Sequence, residues 1–528
     1  MKTKINFFAS LSVLLIISLT SCNNQSGFKL TGNIRGITDG TIYLTSYDGK
    51  PHTDTVLLKD GKFEFSANLT QPVQYMMMVE GRDRAYAMFY ADNSKMTLTG
   101  HVDSLFKATI TGGETQDLVT ELNRRAMELQ KLHKVGELSK ELYNRGGNKV
   151  TPEREAEINS LMDKFNQEYE QLRIDFIKEN PKAYYSAILV KQMTSGKSAE
   201  ETAKYLGLLD KELETTTIVS EIRKNLDEMK KTEVSLGDFI KDAHNLAYKV
   251  DNSYAGKQYG QVVYLSVLSD NNICALKSTG DVLIIDPSGK IKKTFKTGMT
   301  SKPSAIATDA LNNIFVLGSV TENKTVERRG KTVQVPTPVG VECQVFSTDG
   351  KKLREVKLEG IVTATGARVS DSTLVVADTR GRHIVIYNSQ TGVKRSSIEN
   401  LRTCCGILDF SIRKGNEVLV ANLGAFRVNC FDYDAKPLFS FGQRGSGLDE
   451  FHGCCNPVSV DFLSNGGIVT VEKDPTRIKV YSAEGAKIIE GIDELVKGCS
   501  HIPVVVDKNN NIYLASDKEG IIKCITAI

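Results

Sequence analysis

The chain has 528 residues and an ordinary globular composition, 40% hydrophobic and 25% charged. Its formal net charge is only +3, which leaves no electrostatic footprint for nucleic acid or another polyanion. The length is a soft prior for about two to four domains.

In chain order, Lys2 and Lys4 come first, followed by an apolar run over residues 7–19. That run is shorter than the about 20 residues a spanning helix needs and has the length of a secretory-signal core. It ends in Leu19-Thr20-Ser21-Cys22, a sequence that resembles the lipobox of bacterial lipoproteins. The resemblance implies cleavage before Cys22, a covalent lipid on Cys22 and a membrane anchor, each buried acyl methylene contributing about 0.8 kcal/mol. Asn23 and Asn24 stand where some lipoproteins carry the Asp that retains them at the inner membrane. The expected location is therefore the outer membrane, facing the periplasm. Residues 1–21 read as the signal peptide and 22–27 as a polar tether. No later segment has 18 consecutive apolar residues, so no second membrane contact is expected. Setting Cys22 aside from the ten cysteines leaves nine. An odd number in a compartment that permits disulfides leaves at least one thiol free or bound to something.

Residues 28–114 follow a period near two. Examples are Thr41-Ile42-Tyr43-Leu44-Thr45 and Lys62-Phe63-Glu64-Phe65-Ser66, with turns at Asp39-Gly40, Asp48-Gly49 and Asp60-Gly61. This predicts a small antiparallel β domain of six or seven strands. The period then becomes 3.6 over residues 115–235. Thr151-Pro152-Glu153 starts a helix, Asn180-Pro181 stops it, and Ser198 with Glu201 forms a capping box for another. This first half resembles the domain of uncharacterised function that opens many envelope lipoproteins, in its order of elements and in Glu179-Asn180-Pro181-Lys182-Ala183-Tyr184. There the usual next partner is a thioredoxin-like domain, which implies a Cys-x-x-Cys pair. This sequence has none, so that oxidoreductase activity is not carried over.

From about Val262 the period returns to two and repeats. Ile273, Ile314, Leu374, Val418, Ile468 and Ile512 each open an apolar strand, at spacings of 41, 60, 44, 50 and 44 residues. A repeat of about 45 residues with four short strands is the pattern of propeller blades. The long spacing holds a charged insertion, residues 321–340, read as a protruding hairpin or loop. The phrases Asp378-Thr379-Arg380-Gly381-Arg382-His383 and Phe441-Gly442-Gln443-Arg444-Gly445 resemble NHL-repeat propellers. His383, Arg427 and Arg477 share one repeat position, with His383 on a second-layer strand where packing is expected. The whole chain thus reads as mostly β with a helical middle: a β domain, a helical segment, and a six-bladed NHL-like β-propeller over residues 240–528. The last repeat has only three strands. An open edge must be covered, so residues 245–250 are expected to close the ring.

Cys404-Cys405 and Cys454-Cys455 precede the first strands of neighbouring repeats, 50 residues apart, and Cys499 precedes the next. His452 and His501 lie beside them. Three readings follow. The sulfurs form structural disulfides, more easily between blades than within a pair, because adjacent Cα atoms are only about 3.8 Å apart. Alternatively they bind copper or zinc, with His452 or His501 completing the set. Otherwise they are redox-active or simply unpaired. The turn Glu472-Lys473-Asp474 is expected on the same face. Cys274, Cys343, Cys430 and Cys524 read as buried strand thiols. Gly196-Lys197-Ser198 lacks the earlier Gly of a phosphate loop and reads as a helix cap. Some NHL-like propellers are metal-dependent lyases or lactonases, but the inward His set they need is not visible. The sequence therefore favours a binding module for a protein or small ligand over an enzyme.

Overall fold

The computed structural model describes residues 27–47, 51–82, 84–143, 150–235, 239–254, 256–328, 331–413, 416–453, 455–498 and 501–527. Cys22, Cys454 and Cys499 lie outside the described residues. The chain divides into two compact units, Met1–Leu189 with Leu208–Thr216, and Val190–Gly207 with Thr217–Ile528.

The first unit is built on two four-stranded sheets. One contains β1 (Phe28–Arg35), β4 (Lys62–Ala67), β7 (Lys95–His101) and β8 (Thr109–Thr111) in the order β4-β1-β7-β8. The other contains β2 (Gly40–Ser46), β3 (His52–Leu58), β5 (Val73–Val79) and β6 (Tyr86–Ala91) in the order β3-β2-β5-β6. Alternate residues such as Phe28, Leu30 and Ile34 fill one core with Ile42, Leu44, Met77 and Leu98, as period-two strands require. Tyr75 stacks between Phe28 and Phe89, with centroids 5.8 Å away on each side. Gly32 admits the Phe63 ring, since a Cβ there would lie 1.8 Å from it. The domain is not wholly antiparallel as expected: β1 and β7 run parallel, from Lys29↔Lys95 to Arg35↔His101. Between β1 and β7 the chain builds all four strands of the other sheet, with β4 placed in this one, and so long a crossover permits a parallel pair.

Helices α1 (Glu114–Leu132), α2 (Val135–Leu142) and α3 (Pro152–Glu179) follow. The Thr151 hydroxyl accepts from Arg154 N and caps α3. α4 (Tyr184–Met193) crosses from the first unit to the second, while α5 (Ala199–Leu206) and α6 (Thr217–Thr232) belong to the second. The helical stretch is thus divided between the units. Glu233, just after α6, pairs with Arg427 at 2.7 Å and accepts from Ala199 N at 2.9 Å.

The rest of the second unit is a succession of four-stranded antiparallel sheets, six among the described residues. Sheet one is β10 (Val262–Val267), β11 (Ile273–Lys277), β12 (Asp281–Ile285) and β13 (Ile291–Lys296). Sheet two is β14 (Lys302–Thr308), β15 (Ile314–Arg328), β16 (Lys331–Phe346) and β17 (Lys352–Glu355). Its β15–β16 ladder runs on to Arg328↔Lys331, so the charged insertion is a long hairpin. Sheet three is β18 (Gly366–Ser370), β19 (Thr373–Asp378), β20 (His383–Asn388) and β21 (Lys394–Ile398). His383 therefore opens a third strand, not a second-layer one. Sheet four is β22 (Asp409–Arg413), β23 (Glu417–Asn422), β24 (Arg427–Asp432) and β25 (Pro437–Phe441). Sheet five is β26 (Ser459–Phe462), β27 (Ile468–Lys473), β28 (Thr476–Ser482) and β29 (Gly485–Ile488). Sheet six is β30 (Val504–Val506), β31 (Ile512–Ser516) and β32 (Gly520–Thr526), completed by β9 (Tyr248–Val250) from before sheet one. The pairs Cys524↔Val250 and Thr526↔Tyr248 cover the edge that would otherwise stay open.

The first strands β10, β14, β18, β22, β26 and β30 stand side by side, and β30 returns to β10. The unit is propeller-like. Its turns between first and second strands and between third and fourth strands reuse one device, in which an Asp carboxylate accepts backbone N–H groups two and four residues on. Asp286, Asp309, Asp432 and Asp507 all do this. Among the described residues no helix is long and apolar enough to cross a membrane.

Candidate functional site

The loops that enter the first strands of sheets three, four and five are held by one repeated hook. The last or penultimate residue of each second strand accepts a backbone N–H from the incoming loop. Val362 N donates to Asp378, Arg402 N to Asn422 and His452 N to Glu472, each at 2.9 Å. The three acceptors sit opposite His383, Arg427 and Arg477 in the β ladders. The shared repeat position of those basic residues thus marks the turn that grips the loop.

Two residues after the hook in sheet four comes Cys404. It forms a disulfide with Cys455 of the sheet-five loop, with Cα atoms 6.4 Å apart. The exposed Cys405 thiol lies 3.5 Å from the Cys404 sulfur. Cys404, Cys405 and Cys455 bring three sulfurs within 4.8 Å of one another. Cys404 is half-buried and Cys455 buried, both against the apolar cluster of sheets four to six. Ile407 N donates to Cys404 O at 3.0 Å, closing a tight turn in which Cys405 takes φ 54°. A left-handed conformation is strained for a residue other than Gly, Asn or Asp. The sheet-five loop is pinned by buried Asn456. Its Nδ2 donates to His452 O at 2.6 Å and Asp474 O at 3.1 Å, and its Oδ1 accepts from Lys473 N at 3.0 Å.

Among the described residues the sulfur group includes neither His452 nor His501. His501 turns to the ring axis, its Nε2 3.3 Å from Ser459 Oγ and its ring 6.5 Å from that of Tyr264. Burial pushes its pKa below the usual imidazole value; nearby Asp409 opposes this, and Lys473 and Arg368 add to it. The turn Glu472-Lys473-Asp474 is only partly the open loop expected. Asp474 is exposed, but Glu472 is fully buried, paired with Arg477 at 2.8 Å and Lys479 at 3.0 Å. Those two cations in turn hold the carbonyls of Leu448 and Glu450. Burial lowers the Lys479 pKa to about 8, with Glu472 opposing. The same loop explains the Phe-Gly phrase. Gly442 has φ 89°, and a Cβ there would lie 2.3 Å from the buried Phe451 ring.

The axis holds a polar group that sequence reasoning missed. Tyr264 of β10 donates to Asp409 Oδ1 of β22 at 2.6 Å, and Arg368 of β18 donates to Tyr264 OH at 2.6 Å and to Val504 O of β30 at 3.3 Å. β10 and β22 stand on opposite sides of the ring, so the phenol and carboxylate close the axis at that level. Asp461 of β26 accepts from Ser411 Oγ and from the N–H groups of Phe462 and Val506. Burial raises the pKa of Tyr264 and of Asp461; Arg368 opposes both shifts. Gly366 leaves room for the phenol, 2.8 Å from where a Cβ would stand. The available signal was a charge inside an otherwise apolar first strand, at Arg368, Asp409 and Asp461.

Residues 28–119 match the family described as a domain of unknown function, DUF4369. No curated protein sequence matches the chain. Among solved structures it is similar to a streptogramin B lyase at 12% identity and TM-score 0.36, over 54% of this chain and 100% of that one. The WD40 β-propeller domain of Doa1 gives 11%, 0.37, 54% and 98%. Virginiamycin B lyase from Staphylococcus aureus gives 11%, 0.37, 53% and 100%. These neighbours are propeller-like, and at such values nothing about activity follows from them.

Proposed function

We propose that this is a lipid-anchored envelope protein whose second unit, a six-bladed NHL-like propeller, is a binding module. The anchor is the lipid on Cys22, the location the outer membrane facing the periplasm. The ligand, a protein or small molecule, docks on the face that carries the turns after the second strands and the loops entering the first strands. The observation behind the binding reading is the closed axis. Tyr264, Asp409 and Arg368 satisfy one another across the ring, leaving recognition to the loops around the rim rather than to a funnel. Asp474 and Cys405 are exposed on those loops.

The test has two parts. Detergent-phase partitioning of the native chain should be lost in Cys22→Ala. A photocrosslinking residue placed at Asp474 in cells should then give a discrete adduct, while one at Asp434, on an outer turn, should give none. Equal crosslinking from both positions contradicts the assigned face, and unchanged partitioning of Cys22→Ala contradicts the anchor.

A further inference from the structure

The sheet-three loop offers an internal control for the sulfur loops. Gly366, Asp409 and Ser459 are equivalent, each pairing with the residue just before the hook acceptor, at Ala377, Ala421 and Val471. From hook to that position takes four residues in sheet three, 362 to 366, but seven in sheets four and five, 402 to 409 and 452 to 459. The cysteines therefore stand on extensions that the same hook does without elsewhere. Closing the loop does not require them.

We propose that Cys404, Cys405 and Cys455, once reduced, bind one soft d10 cation, with copper(I) the ion they suit. The donor set is sulfur alone among the described residues, which selects soft ions and disfavours calcium and magnesium. Metal–sulfur bonds of about 2.3 Å put three sulfurs on one trigonal ion about 4 Å apart. The three sulfurs lie within 4.8 Å already, with Cys404 and Cys405 at 3.5 Å. The turn at Cys404-Ile407 and the bonds of Asn456 hold both loops in place before any ion arrives, as a preorganised site requires. Exposed Cys405 is the point of entry, and buried Cys455 the inner ligand. The four other described cysteines are buried in strands. Burial raises all four thiol pKa values, to about 12 for Cys343 and Cys524, so they stay protonated and do not compete.

The Cys404–Cys455 disulfide is the oxidised form of the same site. A dithiol reductant opens it: two thiols of the reductant become its disulfide, and Cys404 and Cys455 gain the two electrons and two protons. The cation then displaces thiol protons. Binding is therefore gated by redox state.

The experiment is an anaerobic titration of the full-length protein with copper(I) against a competing chelator, before and after dithiol reduction and removal of the reductant. The reduced protein should bind one equivalent through sulfur, as read by X-ray absorption. The oxidised protein and reduced Cys405→Ser should each bind at least tenfold more weakly. Cys454→Ala should keep the single equivalent. Circular dichroism checks that the reduced form is folded, which the site demands. Reduced protein that unfolds, that takes no copper(I) from the chelator, or whose affinity is indifferent to Cys405→Ser or abolished by Cys454→Ala overturns the proposal.

Discussion

Sheets three and four of the propeller-like unit solve one problem in two ways. Both grip the incoming loop with a polar side chain at the end of the second strand, Asp378 and Asn422. In sheet three the carboxylate also accepts from Arg380 N and Gly381 N at 3.0 Å and faces His383 at 3.3 Å, so the turn is self-contained. In sheet four the amide oxygen accepts the hook while its Nδ2 donates to Asn429 Oδ1 at 3.1 Å, the basic partner Arg427 is drawn away to Glu233, and the loop grows to hold Cys404 and Cys405. Sheet five matches sheet four in loop length but hooks with Glu472 inside an ion cluster. The scaffold position is constant, and the chemistry hung on it varies. The difference separates what closes the fold from what has been added to it.

That separation can be broken by substitution. The largest effect is expected at the axis. Arg368→Met strips the countercharge from buried Asp409 and leaves the Tyr264 phenol with one partner fewer. It should cost about 3–5 kcal/mol in urea unfolding. Next, removing the cross-sheet disulfide with Cys455→Ala should cost about 2–4 kcal/mol under oxidising conditions, but only about 1 kcal/mol, from lost sulfur packing, under reducing ones. Asn422→Ala leaves the exposed Arg402 N to find water in place of its acceptor and should cost about 0.5–1.5 kcal/mol. It should also speed amide exchange in residues 402–408 but not in the sheet-three loop. The smallest effect is expected at the exposed thiol, where Cys405→Ser should change stability by less than about 0.5 kcal/mol.

A pH prediction follows from His501. Its native pKa is depressed, chiefly by burial. As pH falls below about 6.5, the unfolded chain takes up this proton before the folded one does. The contribution is therefore fully present above that pH and lost as pH drops toward the native value. The fall in melting temperature between pH 7 and pH 5 should be smaller in His501→Gln than in the parent. An equal fall in both would place the pH sensitivity elsewhere.

The propeller-like repeat was legible because its strands recur in register with turn residues between them. The missing fourth strand of sheet six was also legible, since three strands leave an edge, and β9 covers it. The parallel β1–β7 pair was not legible, because strand order depends on a crossover that local periodicity does not encode. Ile222 and Leu226 marked an amphipathic helix, but not the unit it joins. Tyr264 and Asp409 are 145 residues apart and meet only once the ring closes. The cysteines were visible from their spacing, and their convergence on Cys404, Cys405 and Cys455 needed the two hooks to fix both loops.

The most direct test of the added-chemistry account is alkylation of the native, oxidised protein followed by peptide mapping. Among Cys274, Cys343, Cys404, Cys405, Cys430, Cys455 and Cys524, Cys405 alone should be alkylated, with Cys404 and Cys455 recovered as one cross-linked peptide. Protection of Cys405, or alkylation of Cys404 and Cys455 as separate thiols, would contradict it.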